Sequence, residues 1–187
     1  MGVARTPREA WIEQGLRTLA ASGVEAVRVE VLAKALGVTK GGFYGYFADR
    51  DALLTAMLDT WEHESVEEVL EVVQREADPR DRIVLAGRLT LSSDRLLGVD
   101  LAIRNWARHD EAVAARLRRV DNQRMDLARE TIGTFCSDPE EIEARSLLAF
   151  CLAIGNQFLA ADHPGRTREE VRARASAIIL ERPPKRH

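Results

Sequence analysis

Apolar residues along this chain recur at three- and four-residue spacing almost throughout, with charged side chains between them. That period lines one side of an α-helix with apolar groups. No run alternates apolar and polar β-branched residues, so no strand is predicted. The six prolines, Pro7, Pro79, Pro139, Pro164, Pro183 and Pro184, all fall at the edges of helical windows. A proline suits a first helical turn, where its missing N–H has no partner to lose. Thr6-Pro7-Arg8-Glu9, Asp138-Pro139-Glu140-Glu141 and Thr167-Arg168-Glu169-Glu170 read as capping boxes. Asp49 and Asp78 are simpler N-caps, and Gly23 and Gly37 are placed to end helices in the left-handed conformation. The pattern predicts an all-α chain of about nine helices, near 7–22, 29–36, 40–47, 50–76, 79–92, 99–108, 110–135, 139–161 and 167–181. Ser92, Ser93 and Gly98 are expected to break or bend the chain between two of them. The tail 182–187 is basic, proline-rich and expected to be flexible.

Residues 29–48, VEVLAKALGVTKGGFYGYFA, carry the most specific pattern. Two short helices joined by a tight turn need a small residue where they cross, and Ala33 stands there. Four positions later the turn needs a residue that tolerates positive φ, and Gly37 stands there. Leu32, Leu36, Val38 and Phe43 occupy the apolar positions, and Thr39 is placed to cap the second helix. This is the spacing of a DNA-binding helix-turn-helix.

The segment resembles the DNA-binding domain of TetR-type (TetR/AcrR) transcriptional regulators. Gly-Val-Thr-Lys-Gly-Gly-Phe-Tyr-Gly-Tyr-Phe at 37–47 matches that family's recognition-helix motif. Asp49-Arg50-Asp51-Ala52-Leu53-Leu54 matches the entry into its long fourth helix. Close similarity covers about 7–58, under a third of the chain; the rest agrees in helix number and order. The resemblance implies an N-terminal three-helix DNA-binding domain over 1–49 and a larger helical ligand-binding and dimerisation domain over 50–181. It implies that the third helix enters the major groove. Thr39 would then present its hydroxyl and N–H to a phosphate. Lys40 would reach a phosphate or a base edge. Gly41 and Gly42 would let the backbone approach closely, and the phenols of Tyr44 and Tyr46 would bond phosphates. Simple packing is the alternative for the two tyrosines, and Phe43 and Phe47 read as core. Two departures stand out. Arg28 replaces the Ser or Thr that usually caps the second helix, and it can itself meet a phosphate. Position 45, often large in the family, is Gly, which removes a possible base reader. Readout then leans on Lys40, Thr39 and DNA shape.

Charge modifies this picture. The 187 residues carry 27 Lys+Arg against 30 Asp+Glu, net −3, which argues against a nucleic-acid partner when taken as a whole. Taken in parts, residues 1–50 are net +2 and residues 51–187 net −5. Arg5 and Arg8 are placed to reach the backbone or minor groove, or simply to sit in solvent. The strong preference for arginine over lysine, with abundant alanine, suggests a GC-rich, hence bacterial, coding genome. Cys136 and Cys151 form no metal-ligand pattern and read as buried thiols in a cytoplasmic protein. The longest apolar stretch, 147–161, is too short for the roughly 20 residues that cross a bilayer.

The helix near 139–161 is apolar all round, which requires burial on every side. In TetR-type proteins the last two helices pair with their copies, and the candidate interface is Leu147, Cys151, Ile154, Gly155, Phe158, Val171, Ala175 and Ile178. The alternative is a fully intramolecular core. The resemblance also implies a ligand cavity among the helices of 50–135. Its candidate lining is Trp61, Leu89, Trp106, Asn122, Met125 and Phe150, although each apolar one also reads as ordinary core. From Trp61 onward the long helix is expected to face the larger domain.

Catalytic signatures are absent: the four histidines lack metal-ligand spacing, and there is no GxSxG, P-loop or GxGxxG. No cofactor, metal or membrane partner is expected. The sequence therefore points to a repressor that binds a palindromic double-stranded operator as a homodimer and is released by an unknown small-molecule effector. The alternative is a small-molecule-binding helical protein with weak or lost DNA binding, motivated by Gly45 and the small basic excess. An enzyme on a helical scaffold is the more distant alternative.

Overall fold

A computed structural model describes residues 6–91 and 94–181. Arg5, the Ser92-Ser93 pair and the tail 182–187 lie outside the described residues. Among those described there are eight α-helices and no strand: α1 (Arg8–Ser22), α2 (Val29–Leu36), α3 (Arg50–Val73), α4 (Pro79–Leu91), α5 (Asp94–Trp106), α6 (Glu111–Gly133), α7 (Pro139–Gly155) and α8 (Arg168–Leu180). Short 3-10 turns occupy Val24–Ala26 and Lys40–Gly42. The second of these replaces the helix expected over 40–47.

Side-chain caps form at Thr167, Asp138 and Asp49, as the sequence marks them. Thr167 Oγ accepts from the Glu170 N–H while the Glu170 carboxylate accepts from the Thr167 N–H, a complete capping box. Asp138 accepts from the Glu140 N–H with Pro139 in the first turn, and Asp49 accepts from the Ala52 N–H. The box expected at Thr6 does not form. Pro7 itself takes the N-cap position (φ −67°, ψ 158°), which leaves Thr6 one residue too early to reach the first free N–H groups. Gly98 does not break the chain either. It lies inside α5, where a Cβ would stand 3.4 Å from the Ala20 Cβ of α1, so the glycine sets how closely the two helices approach.

The chain divides into two compact units, with boundaries at Glu68/Val69, Ser92/Ser93 and Val120/Asp121. The first holds α1, α2, most of α3, α5 and the start of α6. Trp61 thus belongs to this unit, and α3 stays in it through Glu68 rather than leaving at Trp61. Its core is Trp11, Leu16, Leu19, Val27, Leu32, Phe43, Leu53, Met57, Trp61 and Ile103, all essentially without solvent contact. A Cβ at Gly15 would stand 2.6 Å from the Met57 sulfur, so α1 meets α3 at a position only glycine fills without displacing that side chain. Arginines tie the helices together. Arg95 of α5 reaches Glu13 of α1 (2.5 Å) and Glu64 of α3 (2.7 Å), and its hydrogen bonds hold the Glu13 carboxyl below the usual carboxylate range. Arg116 of α6 reaches Asp59 and Glu62 of α3 at 2.5 and 2.6 Å.

The second unit holds the end of α3, α4, the rest of α6, α7 and α8. Here α7 packs on α8, and each secures the other's C-terminus. Arg145 of α7 donates to the carbonyls of Ile179 (2.5 Å) and Glu181 (2.7 Å) at the end of α8. Arg168 of α8 donates to the carbonyls of Asn156 (3.2 Å), Leu159 and Ala161 (3.1 Å) just past α7. The last carbonyls of a helix lack intrahelical partners, and a guanidinium there satisfies them and opposes the helix dipole. The helix expected to reach 161 stops at Gly155, and Arg168 takes the Asn156 carbonyl that a longer helix would have used. Cys136 is buried as expected, but Cys151 is exposed on the surface of α7. Arg145→Met is expected to destabilise the protein by about 1.5–3 kcal/mol, the worth of hydrogen bonds to a charged donor, read as a lower urea midpoint.

Candidate nucleic-acid interface

The site is built from the turn outward. Gly37 sits at φ 68°, ψ 29°, the left-handed conformation the spacing predicts. Its N–H bonds the Lys34 carbonyl (3.2 Å) and the Val38 N–H bonds the Ala33 carbonyl (3.0 Å). This is the Schellman closure of α2, and it turns the chain sharply toward Thr39. Ala33 is buried at the crossing, as its small size requires. At the other end of α2, Arg28 occupies the N-cap position in extended backbone and makes no side-chain cap. Its Nε instead donates to the Glu25 carbonyl at 3.0 Å.

The reading segment follows. Thr39 has cap-like backbone (φ −86°, ψ 154°), yet its side chain makes no capping bond, contrary to expectation. Beyond it the chain closes mainly by i→i−3 bonds: Gly42 to Thr39, Phe43 to Lys40 and Tyr46 to Phe43, with one α-type bond from Phe47 to Phe43. Glycine costs a helix about 0.8–1 kcal/mol relative to alanine. Gly41, Gly42 and Gly45 within five residues account for the tighter, irregular winding.

Aromatic packing holds the segment in place. Phe43 and Phe47 are buried, as predicted. The Phe43 ring meets Trp11 of α1 edge-on, with centroids 5.4 Å apart, and lies 5.2 Å from Phe47. The Arg8 guanidinium covers Phe47 at 5.1 Å. Tyr44 stands outside this cluster, 61% exposed and edge-on to Phe43 at 5.3 Å. Tyr46 is half-buried, whereas Thr39, Lys40 and Gly41 are exposed. The segment therefore presents Thr39, Lys40, Gly41 and Tyr44 to solvent on a buried aromatic base.

Neither Gly41 nor Gly42 is demanded by the free protein. Both have negative φ, and an added Cβ would find its nearest neighbour at 3.8 Å (Thr39 Oγ1) and 3.7 Å (Trp11 Cζ2). Two further contacts had no local signal in the sequence. Arg50 donates to the Val27 carbonyl (2.6 Å) and the Val24 carbonyl (2.7 Å), fastening the first turn of α3 to the segment before α2. Lys40 Nζ donates to Glu30 Oε1 at 2.6 Å. Both partners are far away in sequence, so no periodicity reveals them.

The six residues expected to line a ligand cavity are divided between the units. Trp61 is fully enclosed in the first unit. Trp106 lines a cleft there with Arg50, Asn105 and His109. Leu89, Asn122, Met125 and Phe150 belong to the second unit, with Asn122 exposed. None of the six lines the groove of about 310 Å³ among α4, α7 and α8, whose walls include Ile83, Val84, Leu152, Asn156, Arg172 and Leu180. Of the expected interface residues, Leu147, Cys151, Gly155, Phe158 and Ile178 are exposed, and Ile154, Val171 and Ala175 are half-buried. Among the described residues no cluster of His, Cys, Asp and Glu could hold a metal ion, and no helix is long and apolar enough to cross a membrane.

A helix-turn-helix closed by a left-handed glycine, followed by a segment that exposes Lys40, Gly41 and Tyr44 over the buried Phe43, has the form of a helical DNA-binding domain. Residues 12–57 match the model of the bacterial regulatory proteins, tetR family, so about a quarter of the chain is similar to it. The chain is 32% identical over 69 residues to the HTH-type transcriptional regulator YuxN of Bacillus subtilis (strain 168), itself uncharacterised. That match takes in 37% of this chain and 24% of YuxN, so the chain spans about a quarter of that relative's length. A Saccharomonospora viridis protein assigned as a transcriptional regulator, solved in complex with choline, shares the fold. Its TM-score is 0.75 at 18% identity, covering 92% of this chain and 94% of that one. AibR, solved with isovaleryl coenzyme A and operator DNA, gives a TM-score of 0.64 at 18% identity over 91% and 95% of the two chains. At such identities the likeness is one of fold.

Because Gly41 has room and an ordinary backbone, Gly41→Ala is expected to raise the stability of the free protein by about 0.4–1 kcal/mol through the unfolded state. Thermal denaturation without DNA checks this, and a fall in Tm would show that the position is strained.

Proposed function

We propose that this protein is a transcriptional repressor in the cytoplasm that binds a palindromic operator as a homodimer and leaves it when a small molecule binds. The observation that carries the proposal is the reading segment itself: a solvent-facing Thr39-Lys40-Gly41 run and Tyr44 on a rigid aromatic base beside a Schellman-closed α2. In this reading residues 1–49 meet DNA and residues 50–181 bind the effector and the second subunit. Arg28, Thr39, Lys40, Tyr44 and Tyr46 contact phosphates, with Lys40 also within reach of a base edge, while Gly41 and Gly42 permit close approach.

The dimer rests on the outer face of α7, the turn that follows it and α8. Leu147 is 53% exposed, Phe158 68% and Ile178 55%, an apolar face that a lone chain leaves to water. A second copy covers it with Cys151, Ile154, Gly155, Val171 and Ala175 at the seam. Two-fold symmetry then sets two reading segments about 34 Å apart, one turn of DNA. Support for an effector comes from two places. The Trp61 indole N–H and the Ser65 hydroxyl, one turn apart on α3, are buried without hydrogen-bond partners. Each such orphan costs about 1–3 kcal/mol, which a ligand's polar atoms would recover. The α4–α7–α8 groove has the volume of a small-molecule site. Structures of the same fold that hold choline, or isovaleryl coenzyme A with operator DNA, accord with the reading. The effector acts only so far as it binds the released state more tightly than the DNA-bound one. The continuous α3, anchored at Asp49 and Arg50, is the element placed to carry that difference.

The second reading, a ligand-binding protein that no longer recognises DNA, is favoured by the irregular winding of 40–46. Fluorescence anisotropy with the protein's own upstream DNA separates the two. Selective, salt-dependent binding supports the repressor, and equal binding to every duplex removes it. Lys40→Ala and Tyr44→Phe are each expected to weaken operator binding by about 1 kcal/mol, roughly five- to tenfold, without changing Tm. Phe158→Asp is expected to give a monomer by light scattering and to lose most operator affinity with it.

A further inference from the structure

Lys40 is not held by the reading segment alone. Its ammonium lies 2.6 Å from a carboxylate oxygen of Glu30, which sits in the first turn of α2, ten residues earlier. The pair bridges the two halves of the helix-turn-helix across the turn at Gly37. Both side chains remain in solvent, 54% exposed for Lys40 and 60% for Glu30, so the pair adds little to folding. The hydrogen bond from Lys40 keeps the Glu30 carboxyl below the ordinary carboxylate range.

A lysine at the head of a reading segment has two possible uses on DNA. Swung outward, it meets any phosphate and adds affinity without regard to sequence. Held inward, it donates to the N7 and O6 acceptors of a guanine edge. A neighbouring carboxylate changes the balance between them. It accepts one of the three ammonium N–H donors and leaves two for a base edge, while its own charge repels a phosphate that approaches the same spot. On a mismatched sequence the ion pair has to open before Lys40 can neutralise a phosphate. On a matched one it can stay closed.

We propose that Glu30 is a specificity-determining residue that positions Lys40 for a base edge and reduces its phosphate-only contribution. This deepens the DNA-binding reading given above and rests on it. The segment carries a small basic excess, so one carboxylate beside its leading cation is a large fraction of the local charge.

The test uses the full-length protein and two duplexes of equal length: one enriched by the protein from a random pool, and one with that sequence scrambled. Anisotropy is read from 50 to 200 mM salt. Failure of the wild-type protein to enrich any sequence would defeat the DNA-binding reading itself, and is thereby distinguished from failure of this inference. With wild-type selectivity in hand, Glu30→Gln is expected to tighten scrambled DNA by about threefold or more. Its salt slope should steepen by about one, for the added phosphate contact. The enriched site should change by less than about twofold, so the specificity ratio falls. In a Lys40→Ala background the same substitution should have no effect on the ratio. An equal gain on both duplexes would reduce Glu30 to a general repulsive charge and overturn the proposal. A loss on the enriched site that persists without Lys40 would assign Glu30 its own base contact and overturn it equally.

Discussion

The edge-on contact between Trp11 and Phe43 is the constraint on which the helix-turn-helix end of the chain depends. A segment with three glycines among Lys40–Tyr46 has little helical preference of its own. What keeps it in one place is tertiary: Phe43 and Phe47 are sunk into the first unit, with Trp11 against one ring and the Arg8 guanidinium over the other. The left-handed Gly37 delivers the chain to that anchor, and Asp49 with Arg50 carries it away into α3. Between these fixed points the exposed residues have few choices of direction. A scaffold of this kind lets a poor helix-former present a defined surface, because burial of two phenylalanines replaces the missing local propensity.

The sequence made the frame legible and left the cross-links hidden, for a physical reason. Signals that depend on neighbours a few residues apart could be read directly: the apolar period, the Thr167 and Asp138 caps, the Gly37 turn, and Phe43 and Phe47 as core. Thr6 misled because a local motif has two possible registers, and Pro7 took the cap position one residue later. The 40–47 helix misled because the family pattern there is helical while this chain's glycines favour tighter turns. Gly98 was expected to break or bend the chain, whereas it marks the approach of α5 to α1, a contact spanning nearly eighty residues of chain. The links Arg95–Glu13, Arg50–Val24 and Lys40–Glu30 share that non-local character. Periodicity carries no information about which of many arginines meets which of many carboxylates.

The same links show where much of the positive charge goes. Arginine here acts largely as a structural cross-tie. Arg50 and Arg28 donate to backbone carbonyls, Arg17 and Arg95 converge on Glu13, Arg116 spans two carboxylates on α3, and Arg145 and Arg168 terminate each other's helices. A cation already bonded within the fold contributes less to counterion release than one standing free in solvent. The formal +2 of residues 1–50 is what remains after Glu30 offsets Lys40 and Glu13 offsets Arg17. On the proposed reading, affinity comes from Arg28, the Thr39 hydroxyl, the phenols of Tyr44 and Tyr46, and one lysine that is itself balanced by Glu30. Contacts of that kind are short-ranged and directional, so they reward a fitting groove and give little to an ill-fitting one. On the proposed reading, a weakly charged reader of this design gives up long-range attraction and gains discrimination, as a protein that must find few sites among many requires.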